Sequence, residues 1–175
     1  MVRWRKISAC LAASLLSLGL CCASLAQAAD PLPPTKGDVI LTVSGLIDVR
    51  NNDKSANLTL DFLKRLPAAT ITTVTPWTAG SNTFTGVRLR DLLARLGASG
   101  TRIEAGAGND YFVDIPVADA TSYDVVIAYD MNSVALDTAE RGPLWVMYPY
   151  SSHGELQEDA YYARAIWQLN RMTIK

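Results

Sequence analysis

From residue 38 onward the continuous apolar runs are short, none longer than five residues, and glycine, proline and asparagine punctuate the chain between many of them. Pieces of this length cannot build a helical bundle, and those rich in Val, Ile and Thr pair as strands instead. Val39 to Val43 reads as a strand ending at Gly45. After the polar turn Asn51-Asn52-Asp53, Leu58 to Leu66 reads as a short amphipathic helix, with Thr59 as cap, Asp61 in its first turn and Pro67 as its stop. Ala69 to Thr75 suits a strand. Arg90 to Leu96 puts Leu92, Leu93 and Leu96 on one helical face and ends at Gly97. Arg102 to Ala105 and Tyr111 to Ile115 flank a glycine-rich turn as a hairpin, and Asp124 to Tyr129 and Val134 to Leu136 flank Met131-Asn132-Ser133 likewise. Leu144 to Tyr148 and Met172 to Ile174 complete the predicted strands. The expected class is α+β, a mixed β-sheet domain with short helices over residues 38–175, with no internal repeat.

The first 29 residues stand apart. Arg3, Arg5 and Lys6 precede an apolar run from Leu11 to Leu20, and Ala26-Gln27-Ala28 offers the small-x-small site of a secretory signal peptide. A membrane anchor fits less well, because Cys21 to Ala29 is small and polar rather than the rest of a span of about 20 apolar residues. A lipoprotein fits poorly too, since Gly19-Leu20 before Cys21 makes a weak lipobox. Export to the periplasm and cleavage near residue 29 are therefore expected. Cleavage would remove three basic side chains and no acidic ones, taking the formal charge from −1 to −4. It would also remove all three cysteines, Cys10, Cys21 and Cys22. The exported domain is then expected to have no disulfide, no thiolate nucleophile and no sulfur ligand, and not to be a membrane protein. With no basic block, nucleic acid is excluded as a partner. Residues 30–37, rich in proline, are expected to form an extended, mobile lead-in.

Candidate chemistry is sparse. Gly106-x-Gly108 lacks the helix that a phosphate loop needs, and a hairpin turn explains its glycines. Ser151, Ser152 and His153 adjoin in sequence, but neighbours do not form a triad and no Gly-x-Ser-x-Gly elbow is present. His153 with Glu155, Glu158 and Asp159 does not match a structural zinc set. The aromatic residues say more. Trp77 follows Pro76 among Thr, Gly, Ser and Asn, where propensity gives no reason for an indole. Tyr148, Tyr150, Tyr161, Tyr162 and Trp167 gather near Arg164, a set able to stack on a flat heteroaromatic ligand and bond its edge. Trp145 and Trp167 are expected in the core.

The stretches Leu41-Thr42-Val43-Ser44-Gly45, Leu58 to Pro67, Thr75-Pro76-Trp77-Thr78 and Phe84 to Leu93, followed by Arg141 to Tyr150 and Ile166 to Ile174, resemble the sulfite-oxidase-fold, molybdopterin-binding domain family over nearly the whole chain beyond the leader. The resemblance implies that catalytic members carry a molybdenum-binding cysteine where this chain has Thr73. It also sets Trp145 where an arginine is common, and Ile166 where a basic residue often precedes the tryptophan. The sequence is most similar to small periplasmic pterin-binding regulators of this fold that work without molybdenum. Their implied partner is the periplasmic domain of an inner-membrane signalling protein, a cyclic di-GMP synthase/phosphodiesterase or a sensor kinase. The implied pterin-binding set is Thr73, Thr75, Trp77, Tyr148, Tyr150, Ser151, His153 and Arg164, with Trp77 and Tyr150 stacking on the pterin. No catalytic or metal-ligating residue is implied. Two alternatives stand beside this one: a molybdopterin-dependent oxidoreductase with a shortened site, and an interaction domain with a vestigial pocket.

Overall fold

A computed structural model describes residues 30–108 and 110–175; the expected signal peptide and the three cysteines lie outside them. In chain order the elements are β1 Val39–Gly45, β2 Ser55–Thr59, α1 Leu60–Arg65, β3 Ala68–Val74, β4 Ser81–Arg88, α2 Leu89–Arg95, β5 Arg102–Ala107, β6 Phe112–Pro116, α3 Val117–Ser122, β7 Val126–Met131, β8 Val134–Ala135, β9 Trp145–Met147, α4 Asp159–Arg164 and β10 Leu169–Ile174. They form two sheets. One runs β2-β1-β10-β5-β6, with β1 and β10 parallel and every other pair antiparallel. The other runs β3-β4-β7-β8, with β9 also on β7. Mixed sheets with short helices are the α+β class expected.

A single apolar core draws on both sheets, through Leu41 and Val43 of β1, Ile103 of β5, Phe84 and Val87 of β4 and Ile127 of β7. Burying alternate residues on one face of each strand is what sets these registers. Local signals place the ends. The Thr59 hydroxyl accepts from the Phe62 amide at 3.2 Å and opens α1. Gly45 sits at φ +87°, and a Cβ there would meet the Ile174 carbonyl oxygen at 2.1 Å, so only glycine lets β1 run beside β10 at this point.

Four elements depart from the sequence reading. β2 takes Leu58 and Thr59, read as the start of the helix, because Ala56 and Leu58 are buried while Ser55, Asn57 and Thr59 are less so, the period of two of a strand. β4 is disguised by Gly86, which the close backbone of β7 requires: a Cβ would lie 2.0 Å from the Ile127 carbonyl oxygen. α3 and α4 have too few apolar residues to show a helical period. The lead-in is extended but not free, contrary to expectation. Leu32 is buried, Pro33 accepts from the Asn51 side chain at 3.3 Å, and Thr35 both bonds that side chain and donates to Asn57.

Candidate functional site

The chain leaves β3 through Thr75 and Pro76, and the Thr75 hydroxyl fixes the turn by accepting from the Trp77 amide at 3.3 Å and pairing with Thr78 at 2.7 Å. Arg141 donates to the Trp77 carbonyl at 3.2 Å. The Trp77 ring becomes the hub of an aromatic cluster, with centroids 5.7 Å from Tyr162, 5.9 Å from both Trp145 and Trp167, and 6.4 Å from Tyr150. These contacts are tilted or edge-to-face, the arrangement that ring quadrupoles favour. Trp145 is fully buried and donates its indole N–H to the Ala165 carbonyl at 3.0 Å, tying the strand to the segment after α4. Above this cluster lies a cavity of about 430 Å³, lined by Trp77, Ala107, Tyr111, Tyr162, Ala163, Ala165, Ile166 and Trp167. Its walls are mostly apolar and aromatic, suited to the face of a flat ligand.

Thr73 stands elsewhere in the hydrogen-bond network. Its side chain is fully buried. Its hydroxyl lies 3.2 Å from the Ser151 hydroxyl, to which it donates, and accepts from the Ser151 amide at 3.0 Å. Ser151 in turn accepts from the Val74 amide at 2.9 Å. Strand end and loop are stitched together by these two hydroxyls.

A third cluster is ionic. Asp119 on α3, with only 8% of its side chain exposed, accepts from the Tyr148 hydroxyl at 2.8 Å and from Arg164 of α4 at 2.9 Å. The guanidinium lies 4.7 Å from the Tyr161 ring centroid. Burial first, then the Asp119 charge, raises the Tyr148 hydroxyl above its ordinary range and holds it protonated as a donor.

His153 faces a different hollow, a cleft of about 280 Å³ lined by Thr70, Ile71, Thr72, Tyr123, Asp124, Pro149, Ser152 and His153. Its ring meets Tyr123 edge-on at 5.4 Å, and its Nδ1 is 3.4 Å from Glu155. The Tyr123 hydroxyl, hydrogen-bonded to Tyr161, is pushed up to about 12.

The eight residues implied by resemblance are therefore divided. Trp77 alone lines the aromatic cavity. Tyr150 lies behind it, buried, its hydroxyl reaching the Tyr161 carbonyl at 3.4 Å. Trp77 and Tyr150 meet at 65°, so they do not form the parallel slot that stacking between them requires. Tyr148 and Arg164 turn to Asp119, Thr73 and Ser151 to each other, Thr75 to the turn and His153 to the cleft. Sequence reasoning set Trp167 in the core; it is 37% exposed because its neighbour Trp145 takes the interior and leaves it at the cavity mouth. Ala107, Tyr111 and Ile166 as lining residues were not foreseen. Ala107 ends β5 and Tyr111 immediately precedes β6 in one hairpin, and Ile166 follows α4, so only the fold brings them together.

Among the described residues no three His, Cys, Asp or Glu side chains gather as a metal site requires, and no helix is long and apolar enough to cross a membrane. A soft metal finds no thiolate around Thr73, whose hydroxyl already serves Ser151; a flat ring system finds the aromatic wall at Trp77.

The chain matches the model of the oxidoreductase molybdopterin binding domain over residues 31–153. No curated protein matches it. Among solved structures it is similar to the crystal structure of the sulfane dehydrogenase SoxCD from Paracoccus pantotrophus, with a TM-score of 0.60 and 20% identity. The alignment covers 82% of this chain and 39% of that one, so this chain spans well under half of that protein's length. The likeness shows the fold, which is of the sulfite-oxidase type.

Proposed function

The chain belongs to the oxidoreductase molybdopterin binding domain family, and we propose that within it this protein is a pterin-binding, non-catalytic regulator acting in the periplasm. The observation that carries this reading is the Thr73–Ser151 hydroxyl pair, since the resemblance implies that Thr73 stands where catalytic relatives carry the metal-binding cysteine. Molybdenum of that kind calls for a soft thiolate, and no cysteine occurs after Cys22. A neutral hydroxyl that is buried and already bonded cannot replace it.

The aromatic cavity supports the other half. A pterin bicycle laid on Trp77, with Tyr162 and Trp167 at its borders, gains ~1–3 kcal/mol per aromatic stack, as nucleobases do. Two such contacts and a few hydrogen bonds reach about −8 kcal/mol, a micromolar affinity. Regulation of an inner-membrane partner, a cyclic di-GMP synthase/phosphodiesterase or a sensor kinase, would follow if the partner binds the filled and empty forms differently.

The test combines elemental analysis and mass spectrometry of the purified protein with a fluorescence titration using biopterin. The expected result is no molybdenum, quenching of the tryptophans by biopterin, and a loss of affinity of about tenfold or more in Trp77→Ala. Stoichiometric molybdenum would favour the oxidoreductase reading that the family match itself supports; absence of any pterin binding would leave the interaction domain.

A further inference from the structure

We propose that the free edge of β3 takes up an extended polypeptide segment of a partner protein by strand addition. This goes beyond the pterin reading and does not depend on what fills the aromatic cavity.

β3 is an edge strand of its sheet, paired with β4 at seven consecutive positions, Ala68↔Val87 to Val74↔Ser81, with no shift in register. In an antiparallel pair, residues alternate between those that bond the neighbour and those that point both N–H and C=O away. Three observations fix the phase. The Val74 amide turns outward to the Ser151 hydroxyl. Thr83, opposite Thr72, sends its amide and carbonyl to Asn132, away from β3, at 2.9 and 2.8 Å. The Thr72 and Thr83 hydroxyls approach to 2.9 Å, as side chains do in the closer, non-bonded pairs. By period two, Thr70 and Thr72 therefore direct their backbone donors and acceptors outward, and no described residue bonds them. Both line the cleft beneath Tyr123 and His153.

The other long edges are defended. On β2, the Asn57 amide and carbonyl are both taken by the Asn51 side chain, at 2.7 and 3.0 Å, with the lead-in beside them. On β6, the edge carries a charge, Asp114, opposite Glu104 and paired diagonally with Arg102 at 3.5 Å. β3, Ala-Ala-Thr-Ile-Thr-Thr-Val, has no charge, no proline and no bulge, the usual devices against pairing. The cleft's one carboxylate, Asp124, is held by Arg90 at 2.6 Å. What the cleft offers is a row of outward backbone groups along a strand edge, and an extended backbone is the ligand with the matching spacing. Ser151 already stands in for such a strand at Val74.

The experiment pans phage-displayed linear peptides against the immobilised whole protein and measures enriched peptides by fluorescence anisotropy. Thr72→Pro removes the outward amide while leaving the β4 side of the ladder intact, since proline is tolerated on edge strands; Thr72→Ala keeps that amide. Enriched peptides are expected to alternate β-branched residues and to lose affinity about five- to tenfold in Thr72→Pro, but about twofold or less in Thr72→Ala. Methylating successive peptide amides should weaken binding at every second position, a readout that leaves the protein unaltered should Thr72→Pro fail to fold. Binding unaffected by Thr72→Pro, sensitivity to methylation without a period of two, loss of binding in Trp77→Ala instead, or no enriched peptide at all would each overturn the proposal. Biopterin is expected not to displace these peptides; displacement would put them in the aromatic cavity and overturn it as well.

Discussion

The hollow at Trp77 is mostly apolar and is walled by rings that meet edge to face at 5.7–5.9 Å. The cleft along β3 is walled by threonine and serine hydroxyls, an imidazole and unpaired backbone. A short reach of chain supplies both, since Thr70 and Thr72 line one and Trp77 the other. Under the two proposals, recognition is divided: apolar faces would serve a flat ring, and polar backbone would serve a strand. Thr73, between them in sequence, serves neither hollow, because its hydroxyl is committed to Ser151.

The hardest test of the aromatic side is Trp145→Ala. It removes the buried floor of the cluster and the bond to Ala165, and should cost about 3–5 kcal/mol, read as a lower urea midpoint. A loss of less than about 1 kcal/mol would mean that the cluster is ornamental to the fold. Next comes Asp119→Ala, which strands Tyr148 and Arg164. Breaking a buried ion pair costs about 3–5 kcal/mol, and Arg164 is 22% exposed, so about 2–3 kcal/mol is expected. Asp119→Asn should recover part of it by keeping an acceptor for Tyr148.

The tyrosines give the comparison a pH axis. Burial raises Tyr148 and Tyr150 above the ordinary tyrosine value of about 10. A group raised in the folded state contributes stability that is fully present below its unfolded pKa and is lost as pH rises past it, so stability should fall above pH ~10. Absorbance at 295 nm should show these two ionising together with unfolding, separate from the exposed tyrosines.

Thr73→Cys sharpens the hydroxyl side. It should fold at a cost of about 1 kcal/mol, and its thiol should resist iodoacetamide until urea opens the domain. Rapid labelling of the folded protein would show that position 73 is open to ligands and would erase the distinction between the two regions. The smallest effect belongs to Ser151→Ala, about 0.5–1.5 kcal/mol for the lost bonds to Thr73 and Val74.

Much of the fold was legible because the signals were local. Thr59 caps, Gly97 ends α2 at φ +61°, and both predicted hairpins form, although β5 runs on through Gly106 and Ala107 and β7 through Met131, all read as turn. β4 was hidden by Gly86, whose reason lies in the approach of β7 and not in its neighbours along the chain. At the site, Trp77 was legible as an indole out of place among polar residues. Tyr148 and Arg164 were not, since nothing near them in sequence announces Asp119, many residues upstream on a helix too short to show a period. Trp167 was misread because two tryptophans near apolar strands look alike until one fills the interior.

The place of β10 has a consequence for how such a molecule is made. β10 lies between β1 and β5, so those two strands have no common neighbour in the sheet until Leu169–Ile174 is in place. A nascent polypeptide released short of Leu169 would keep its apolar seam in water, visible to chaperones and proteases. Insertion of β10 between β1 and β5, a pairing between segments far apart in sequence, is what closes this sheet.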